Sequence, residues 1–460
     1  MLHLYNTLNK KKEQLTAQKN NTINLYVCGM TVYDHCHIGH ARVWVVFDIL
    51  VRQLKQLNFK VNYVRNITDV DDKIIQRAHE QQQSIQTLTQ TMIESMHQDM
   101  KALQLLLPTY EPRATHYIAH MIQLIQTLLK KGYAYQVPLG DVYYSVKQFK
   151  PYGEFAHQNL QDLMVGARIN QDIHKKDPLD FVLWKYTGTQ ENSWQSPWGW
   201  GRPGWHIECS TMAMKHLTLP IDIHGGGADL QFPHHQNEIA QSEAASNKSF
   251  VKSWMHVGFV QIGQDKMSKS KGNALSVKML LGQYSGEVIR YFLLTSHYRS
   301  PIFYSETNLN TAQKSLKRLY QALQYVQPIE GIEPSTPDLA QYEQQFYQAI
   351  NDDLNTPVAL SILFDLSHTI HRLAPAVQAT QLANLLKKLG GLLGLLQQNM
   401  ESLSLKNNDI PVKWIEEQLK LRGQAREHKK WSTADAIRLA LLEKGIIVED
   451  TSEETKWHYV

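Results

Sequence analysis

Two short segments constrain this chain more than any other feature. His37-Ile38-Gly39-His40 stands between Leu25-Tyr26-Val27, an apolar run suited to a buried strand, and the stretch from Ala41 to Leu57. In that stretch Val43, Val46, Phe47, Leu50, Leu54 and Leu57 recur mostly at intervals of three and four, the pattern of a helix with one apolar face. The histidines therefore fall at a strand–helix junction. The first turn of a helix has backbone N–H groups without intrahelical partners, and these bind phosphate. Two imidazoles can add side-chain donors. Much later, Lys266-Met267-Ser268-Lys269-Ser270 follows a second strand-like run and places positive charge on a loop. Such a loop can close over a polyphosphate as a transition state forms. Alone, either segment also reads as a His-rich turn or a solvated lysine loop. The pair, each at the carboxyl end of a strand, points to an α/β nucleotide-binding fold.

At 460 residues the chain has room for several domains and a sizeable core. Hydrophobic residues make up 43% and charged residues 20%, the balance of a water-soluble globular protein. No apolar run approaches the roughly 18 residues of a membrane span. The opening Met1-Leu2-His3-Leu4-Tyr5-Asn6 lacks the basic-then-apolar order of a signal peptide, so the expected location is the cytoplasm. A net charge of +4 does not by itself announce a nucleic-acid binder, so any RNA-binding surface must come from local patches.

The chain has three cysteines, Cys28, Cys36 and Cys209, with no CxxC pair. An odd number suits free thiols or metal ligands better than a disulfide framework. Cys28 directly follows the first strand, and Cys209 ends Gly204-Trp205-His206-Ile207-Glu208-Cys209. His234 and Glu238 are four apart, on one face of a helix that Pro233 could open. Two sulfurs, one imidazole and one carboxylate would suit Zn²⁺. On spacing alone the commoner arrangement is two cysteines packing as small hydrophobes beside a satisfied histidine. Sequence does not separate His234 from its neighbour His235.

Several segments resemble the cysteinyl-tRNA synthetase family of class I aminoacyl-tRNA synthetases. They are Tyr26–Asp34, Tyr63–Lys73, Phe181–Lys185, Gly201–Ser210 and Asp222–Asp229, beside the histidine and lysine motifs. The resemblance runs nearly end to end. It implies an α/β, Rossmann-like class I synthetase catalytic domain with a connective insertion. An α-helical bundle and a small C-terminal anticodon-binding domain would follow. The expected divisions are 1–120 and 201–260 for the catalytic halves, 121–200 for the insertion, 261–310 for the lysine loop and stem-contact region, 311–400 for the bundle and 401–460 for the C-terminal domain.

The resemblance also implies roles. Cysteine and ATP, with Mg²⁺, would give cysteinyl-adenylate. The cysteinyl group would then pass to the 2′-hydroxyl of the terminal adenosine of tRNA(Cys). His37, His40, Lys266 and Lys269 would serve ATP catalytically, and Gly39 would let the adenine ring pack near the backbone. By their place in the sequence, Gly29, Thr31, Trp205, Asp229, His256 and Lys269 are candidates to line the nucleotide and amino-acid pocket, although Trp205 as a core tryptophan and His256 as a satisfied core histidine are the commoner arrangements. One Zn²⁺ held by Cys28, Cys209, His234 and Glu238 would select the thiol. The Gly225-Gly226-Gly227 run reads either as a close backbone approach to substrate or as a flexible turn. Asp69 or Asp71 is expected to cap the next helix rather than bind magnesium.

In the tail, Lys420, Arg422, Arg426, Lys429 and Lys430 beside Trp431 suit phosphate and an unstacked base. By spacing alone, a solvated amphipathic helix anchored by the tryptophan is the commoner arrangement. Arg426, Asp435 and Asp450 match positions that contact anticodon bases in the family. Lys271 and Gln236 depart from its pattern, and Cys36 has no assigned role. A monomer is expected. The rivals are a cysteine:amine ligase sharing the catalytic core, a shorter nucleotidyltransferase, and a non-catalytic tRNA-binding paralogue.

Overall fold

The computed structural model describes residues 1–17, 19–138, 140–155, 174–262, 265–266, 275–324, 337–374, 377–400, 412–428, 430–443, 446–450 and 455–459. Two compact units emerge, one of residues 1–281 and 286–397, the other of residues 282–285 and 398–460.

In the first unit the chain opens with a hairpin, β1 (His3–Asn6) and β2 (Lys11–Gln14). Then come β3 (Thr22–Val27), α1 (Ile38–Gln56), β4 (Lys60–Arg65), α2 (Asp72–Glu80), α3 (Ile85–Ala102) and α4 (Ile118–Lys130). An antiparallel sheet follows: β5 (Ala134–Gln136), β6 (Val142–Tyr144), β7 (Phe181–Tyr186), β8 (Trp194–Ser196) and β9 (Gly199–Pro203), in the order β5-β6-β7-β9-β8. The chain returns through α5 (Trp205–His216), β10 (Ile221–Gly227), α6 (Gln236–Ser246) and β11 (Val251–Val257). Next are β12 (Val260–Ile262), β13 (Asp265–Lys266), α7 (Val277–Leu281), α8 (Gly286–Leu294), β14 (Ile302–Tyr304) and α9 (Glu306–Leu323). Helices α10 (Pro337–Asn351), α11 (Thr356–Leu373) and α12 (Val377–Leu392) complete this unit.

The central sheet has the order β11-β10-β3-β4, all parallel. Its strands are largely buried, as a parallel sheet covered by helices requires. Parallel strands end at the same edge, so the carboxyl ends of β3, β10 and β11 lie together. Helix α1 buries Val46, Phe47, Leu50 and Leu54 of the expected apolar face, with Val43 and Leu57 only partly buried. Trp44, Val45 and Ile49 are buried too, so the covered face is wider than the spacing predicts. The helix begins at Ile38 rather than Ala41. The difference comes from the motif, because His37 and His40 form the helix cap themselves. The Gly225-Gly226-Gly227 run, read from sequence as a close approach or a turn, is the last part of the central strand β10. Asp71 caps α2 by accepting from the Lys73 N–H at 2.8 Å.

A buried ion cluster ties α1 to the later helices. Arg290 on α8 donates to the Asp48 carboxylate on α1, to the Leu393 carbonyl at 2.6 Å and to the Leu103 carbonyl at 3.0 Å. Arg52 also reaches Asp48, at 2.7 Å. Burial works against an ionised Asp48, but Arg290 and Arg52 hold its carboxyl below the usual range. This contribution is present above the unfolded carboxyl pKa near ~4 and is lost as pH falls through the lower folded value.

The second unit contains α13 (Val412–Glu427), α14 (Trp431–Glu443) and an antiparallel hairpin, β15 (Ile446–Asp450) with β16 (Thr455–Tyr459). Ile415, Leu441, Ile446 and Val448 form its core, with Trp457 packed against them. Trp431 is 59% exposed, so it does not anchor this core. Of the basic strip, Arg422 is buried, while Lys420, Arg426 and Lys430 are exposed. Lys429 lies outside the described residues.

The Asp48 cluster gives the first prediction. Asp48→Asn leaves two guanidinium groups without their carboxylate and should destabilise the chain by roughly 3–5 kcal/mol, read from urea unfolding at pH 7.

Candidate active site and metal centre

The histidine motif is built as a cap. His37 is the N-cap of α1, with an extended backbone at φ −99° and ψ 162°. Its Nδ1 accepts from the His40 N–H at 3.2 Å, and the His40 Nδ1 accepts from the His37 N–H at 3.3 Å. This is a capping box made of two imidazoles instead of the usual hydroxyl and carboxylate. The rings stack with centroids 3.6 Å apart. With Nδ1 accepting, the neutral ring carries its proton on Nε2, a donor suited to a phosphate oxygen. The cap is also clamped from the far side of the lysine motif. Ile38 N–H donates to the Leu275 carbonyl at 3.0 Å, and Val277 N–H to the Cys36 carbonyl at 2.8 Å. The chain leaving the lysine segment is thus stitched to the histidine motif. Lys266 stands in the short strand β13, paired with Gln261 of β12. Met267, Ser268, Lys269 and Ser270 lie outside the described residues.

The metal candidates converge at the same sheet edge. Cys28 follows β3, Cys209 lies in the first half of α5, His234 in a wide π-helical turn and Glu238 in the first turn of α6. Pro233 belongs to that wide turn rather than to the first turn of an α-helix. The i,i+4 pairing survives all the same, with His234 Nε2 3.0 Å from Glu238 Oε1. Cys28 Sγ is 3.9 Å from Cys209 Sγ, 3.5 Å from His234 Nε2 and 3.4 Å from Glu238 Oε1. Four ligands around Zn²⁺ at bond lengths of 2.0–2.3 Å stand about 3.3–3.8 Å apart. The four donor atoms all fall within 4.8 Å of one another, and all four residues are buried.

Their electrostatics point the same way. Burial pushes the Cys28 thiol well above its usual value, and its hydrogen bond to Cys209 adds to this. The same hydrogen bond draws Cys209 down to about 6. Burial opposes a charge on His234, but Glu238 and Cys209 raise it to about 10. Burial also opposes a charge on Glu238, which His224 and His234 nevertheless bring down to about 2. A dry pocket so rich in lone pairs must hold protons or a cation. The donor set fits a thiophilic divalent ion.

Histidines that the sequence reading missed surround this quartet. His206 Nδ1 lies 2.9 Å from His234 Nδ1, leaving His234 Nε2 toward the thiols. His224 Nε2 lies 3.0 Å from Glu238 Oε2. Second contacts of this kind fix ligand orientation in metal sites. His235 Nε2 is itself 3.4 Å from Cys28 Sγ, and an alternative grouping of Cys28, His224, His235 and Glu238 exists. Only the grouping with His234 includes both thiols. The available signal was the density of histidines in segments of otherwise buried character.

The remaining expected residues fall around this centre. Gly29 could carry no Cβ, which would meet the Asn66 carbonyl oxygen at 1.6 Å. Thr31 bridges Thr68, whose hydroxyl donates to the buried Glu208 at 3.0 Å. Trp205, 41% exposed, sets its ring 4.5 Å from that of His234. Asp229 is exposed in the turn after β10. His256 has Nε2 2.8 Å from His235 and Nδ1 2.8 Å from Thr7, so both ring nitrogens face protein groups. Beside Trp205 a cleft of about 860 Å³ opens between the start of α2 and the insertion sheet, lined in part by Asp72, Lys185 and Arg202.

Residues 14–314 match the family model described as the tRNA synthetases class I (C) catalytic domain, and residues 345–397 match the DALR domain. The M. tuberculosis methionyl-tRNA synthetase in complex with methionyl-adenylate shares the fold. Its TM-score is 0.57 at 13% identity, covering 84% of this chain and 92% of that one. The fold and the capped site thus define a class I aminoacyl-tRNA synthetase. The cysteine–tRNA ligase of Legionella pneumophila subsp. pneumophila (strain Philadelphia 1) is 52% identical over 100% of both chains. That of Hydrogenovibrio crunogenus is 50% identical, again over 100% of both. The chain belongs to the cysteine–tRNA ligase family.

Metal uptake should be tight and pH-dependent. At pH 7 the quartet holds protons on Cys28 and His234 that a cation displaces, so affinity for Zn²⁺ should climb as pH rises from 6 toward 9. Chelator competition should show this slope. Cys209→Ser should weaken binding by more than ~100-fold, and His206→Asn by ~10–100-fold.

Proposed function

We infer that the chain activates L-cysteine with ATP and transfers it to tRNA(Cys). In the first step a cysteine carboxylate oxygen attacks the α-phosphorus of ATP, and the bond to the β-phosphate bridging oxygen breaks. Cysteinyl-adenylate and pyrophosphate result. In the second, the 2′-hydroxyl of the terminal adenosine attacks the acyl carbon, loses its proton and displaces AMP. The observation that carries this reading is the meeting of the buried two-thiol quartet and the imidazole cap at one sheet edge. It occurs in a chain that aligns end to end with cysteine–tRNA ligases.

Little covalent chemistry falls to the protein, so its task is placement and charge stabilisation. The N-terminus of α1 and the Nε2–H groups of His37 and His40 receive the phosphates. Lys266 and Lys269 add cationic charge where pyrophosphate departs, and Gly39 leaves space for the adenine. ATP enters with Mg²⁺ as part of the substrate. Asp229, on the turn beyond β10, suits the ribose hydroxyls or the substrate ammonium. Trp205 walls the amino-acid pocket, and Thr31 and Gly29 serve the amino acid or its adenylate.

Cys28, Cys209, His234 and Glu238 would hold Zn²⁺, which when bound supplies a thiophilic Lewis acid favouring an ionised substrate sulfur. Selection against serine then happens at binding. An apolar pocket alone separates such isosteres by about 100-fold. His206 and His224 keep His234 and Glu238 turned toward the thiols.

The antiparallel sheet β5–β9 is the connective insertion, and Lys185 and Arg202 beside the cleft suit the acceptor end of the RNA. In the second unit the exposed Trp431 and Arg426 suit bases of the anticodon loop, and the exposed Lys420 and Lys430 suit its phosphates. Asp435 and Asp450 join them by the resemblance. Among the described residues no helix is long and apolar enough to cross a membrane, and we place the enzyme in the cytoplasm. An amine ligase sharing only the catalytic core would leave the second unit without a purpose.

ATP–pyrophosphate exchange without tRNA tests the reading. Exchange should run with cysteine, at least ~10³-fold faster than with serine, and should stop when metal is stripped and return with Zn²⁺. Comparable exchange with serine would overturn the metal-based selection. No exchange with either by folded, zinc-loaded protein would overturn the activation itself.

A further inference from the structure

Arg42 lies one turn into α1, just after the His37–His40 cap, and is 0% exposed. Its guanidinium meets four backbone carbonyl oxygens. Nη1 donates to Gly258 at 3.0 Å and Phe259 at 2.8 Å. Nη2 donates to His297 at 3.1 Å and Ser300 at 2.6 Å. Among the described residues no carboxylate pairs with it. Burial draws its pKa down to about 10, which still leaves it charged at pH 7. Nearby Arg299 contrasts with it, because that side chain pairs with Asp353 at 2.8 Å.

A buried guanidinium without a counter-ion opposes folding, so a merely structural account would favour an apolar residue here. The four acceptors belong to two segments with one destination. Gly258 and Phe259 join β11, the edge strand of the central sheet, to β12. His297–Ser300 leads into β14, which pairs in parallel with β12. These segments touch so closely that a Cβ on Gly258 would meet the Ser300 carbonyl oxygen at 2.6 Å. Carbonyls crowded this way repel one another unless a flat, multi-donor cation lies between them, and a guanidinium fits that need. Strand β12 in turn pairs with β13, which carries Lys266.

We propose that Arg42 is a positioning residue for adenylate formation: it locks the root of the β12–β13 hairpin carrying Lys266 to the helix whose cap is His37 and His40. Both ATP motifs are then referred to one helix, at its cap and one turn in. Arg42 touches no substrate and acts through Lys266 and the backbone. The amino-acid side of the site, built on Cys28, Cys209, His234 and Glu238, does not depend on this lock. The proposal rests on the reading of the chain as a cysteine-activating enzyme.

The test uses the full-length zinc-loaded chain, with Arg42→Met and Arg42→Lys beside the parent in cysteine-dependent ATP–pyrophosphate exchange. Parental exchange establishes the underlying reading independently, and its absence would sink that reading rather than the role of Arg42 alone. With an active parent, Arg42→Met should raise KM for ATP and lower kcat, together at least ~30-fold in kcat/KM. KM for cysteine and zinc content should stay within about twofold. Arg42→Lys, which keeps the charge and up to three donors, should recover part of the loss. A merely structural role would lower the melting temperature while leaving the ratio of the two KM values unchanged, and that result would overturn the proposal. If Arg42→Met does not fold, Arg42→Lys decides. A rise of threefold or more in KM for ATP alone supports the lock, and parental kinetics refute it.

Discussion

Parallel pairing of β3, β10 and β11 brings three distant parts of the chain to one edge, and the rest of the site depends on that edge. Cys28 leaves β3 there. The turn holding Asp229 and the approach to α6 leave β10 there, and the root of β12 leaves β11. Helix α1, which follows β3, packs against β4, β10 and β11. Nothing in the local preference of Cys28 or His234 would bring them within 3.5 Å. Strand register does so, because a parallel ladder aligns chain ends that sequence separates widely.

Around that edge two kinds of buried polar group are handled differently. The thiol–imidazole–carboxylate quartet is over-supplied with lone pairs, and the histidines behind it take up the outward-facing nitrogens and oxygens. Arg42 and Arg290 present the reverse case, cations set among carbonyl oxygens. Arg290 has Asp48 beside it, whereas among the described residues the partners of Arg42 are backbone carbonyls. The first arrangement is compatible with a bound cation, and the second sets a cation between backbone carbonyls of separate segments.

Much of this was legible in sequence, for identifiable reasons. The apolar period of α1 placed the histidine motif at a helix start. The four-residue spacing of His234 and Glu238 brought them to one face even though a wide turn replaced the expected first turn. The metal quartet needed the resemblance, since spacing within a chain says nothing of where β3 ends relative to α5. The glycine run at 225–227 was ambiguous because glycine serves turns and crowded central strands equally well. Arg42 gave no signal: an arginine beside an apolar face usually extends to solvent, and its four acceptors are backbone atoms that no pattern of side chains reveals. His206 and His224 showed only as members of histidine-rich segments, because their partners are residues that only tertiary packing brings near.

The placement of the four candidate ligands also sets an order in time. Cys28 is made early in synthesis, whereas Glu238 emerges only after the insertion sheet has been translated. Until Cys209 is made, a nascent chain therefore carries one of the four candidate ligands, the thiol at the end of β3. Closure waits until β10 has slotted beside β3 and α6 has formed. An ion that needs all four residues would thus be captured only once the two halves of the nucleotide fold have joined, and such a centre would also register that the catalytic core has been assembled.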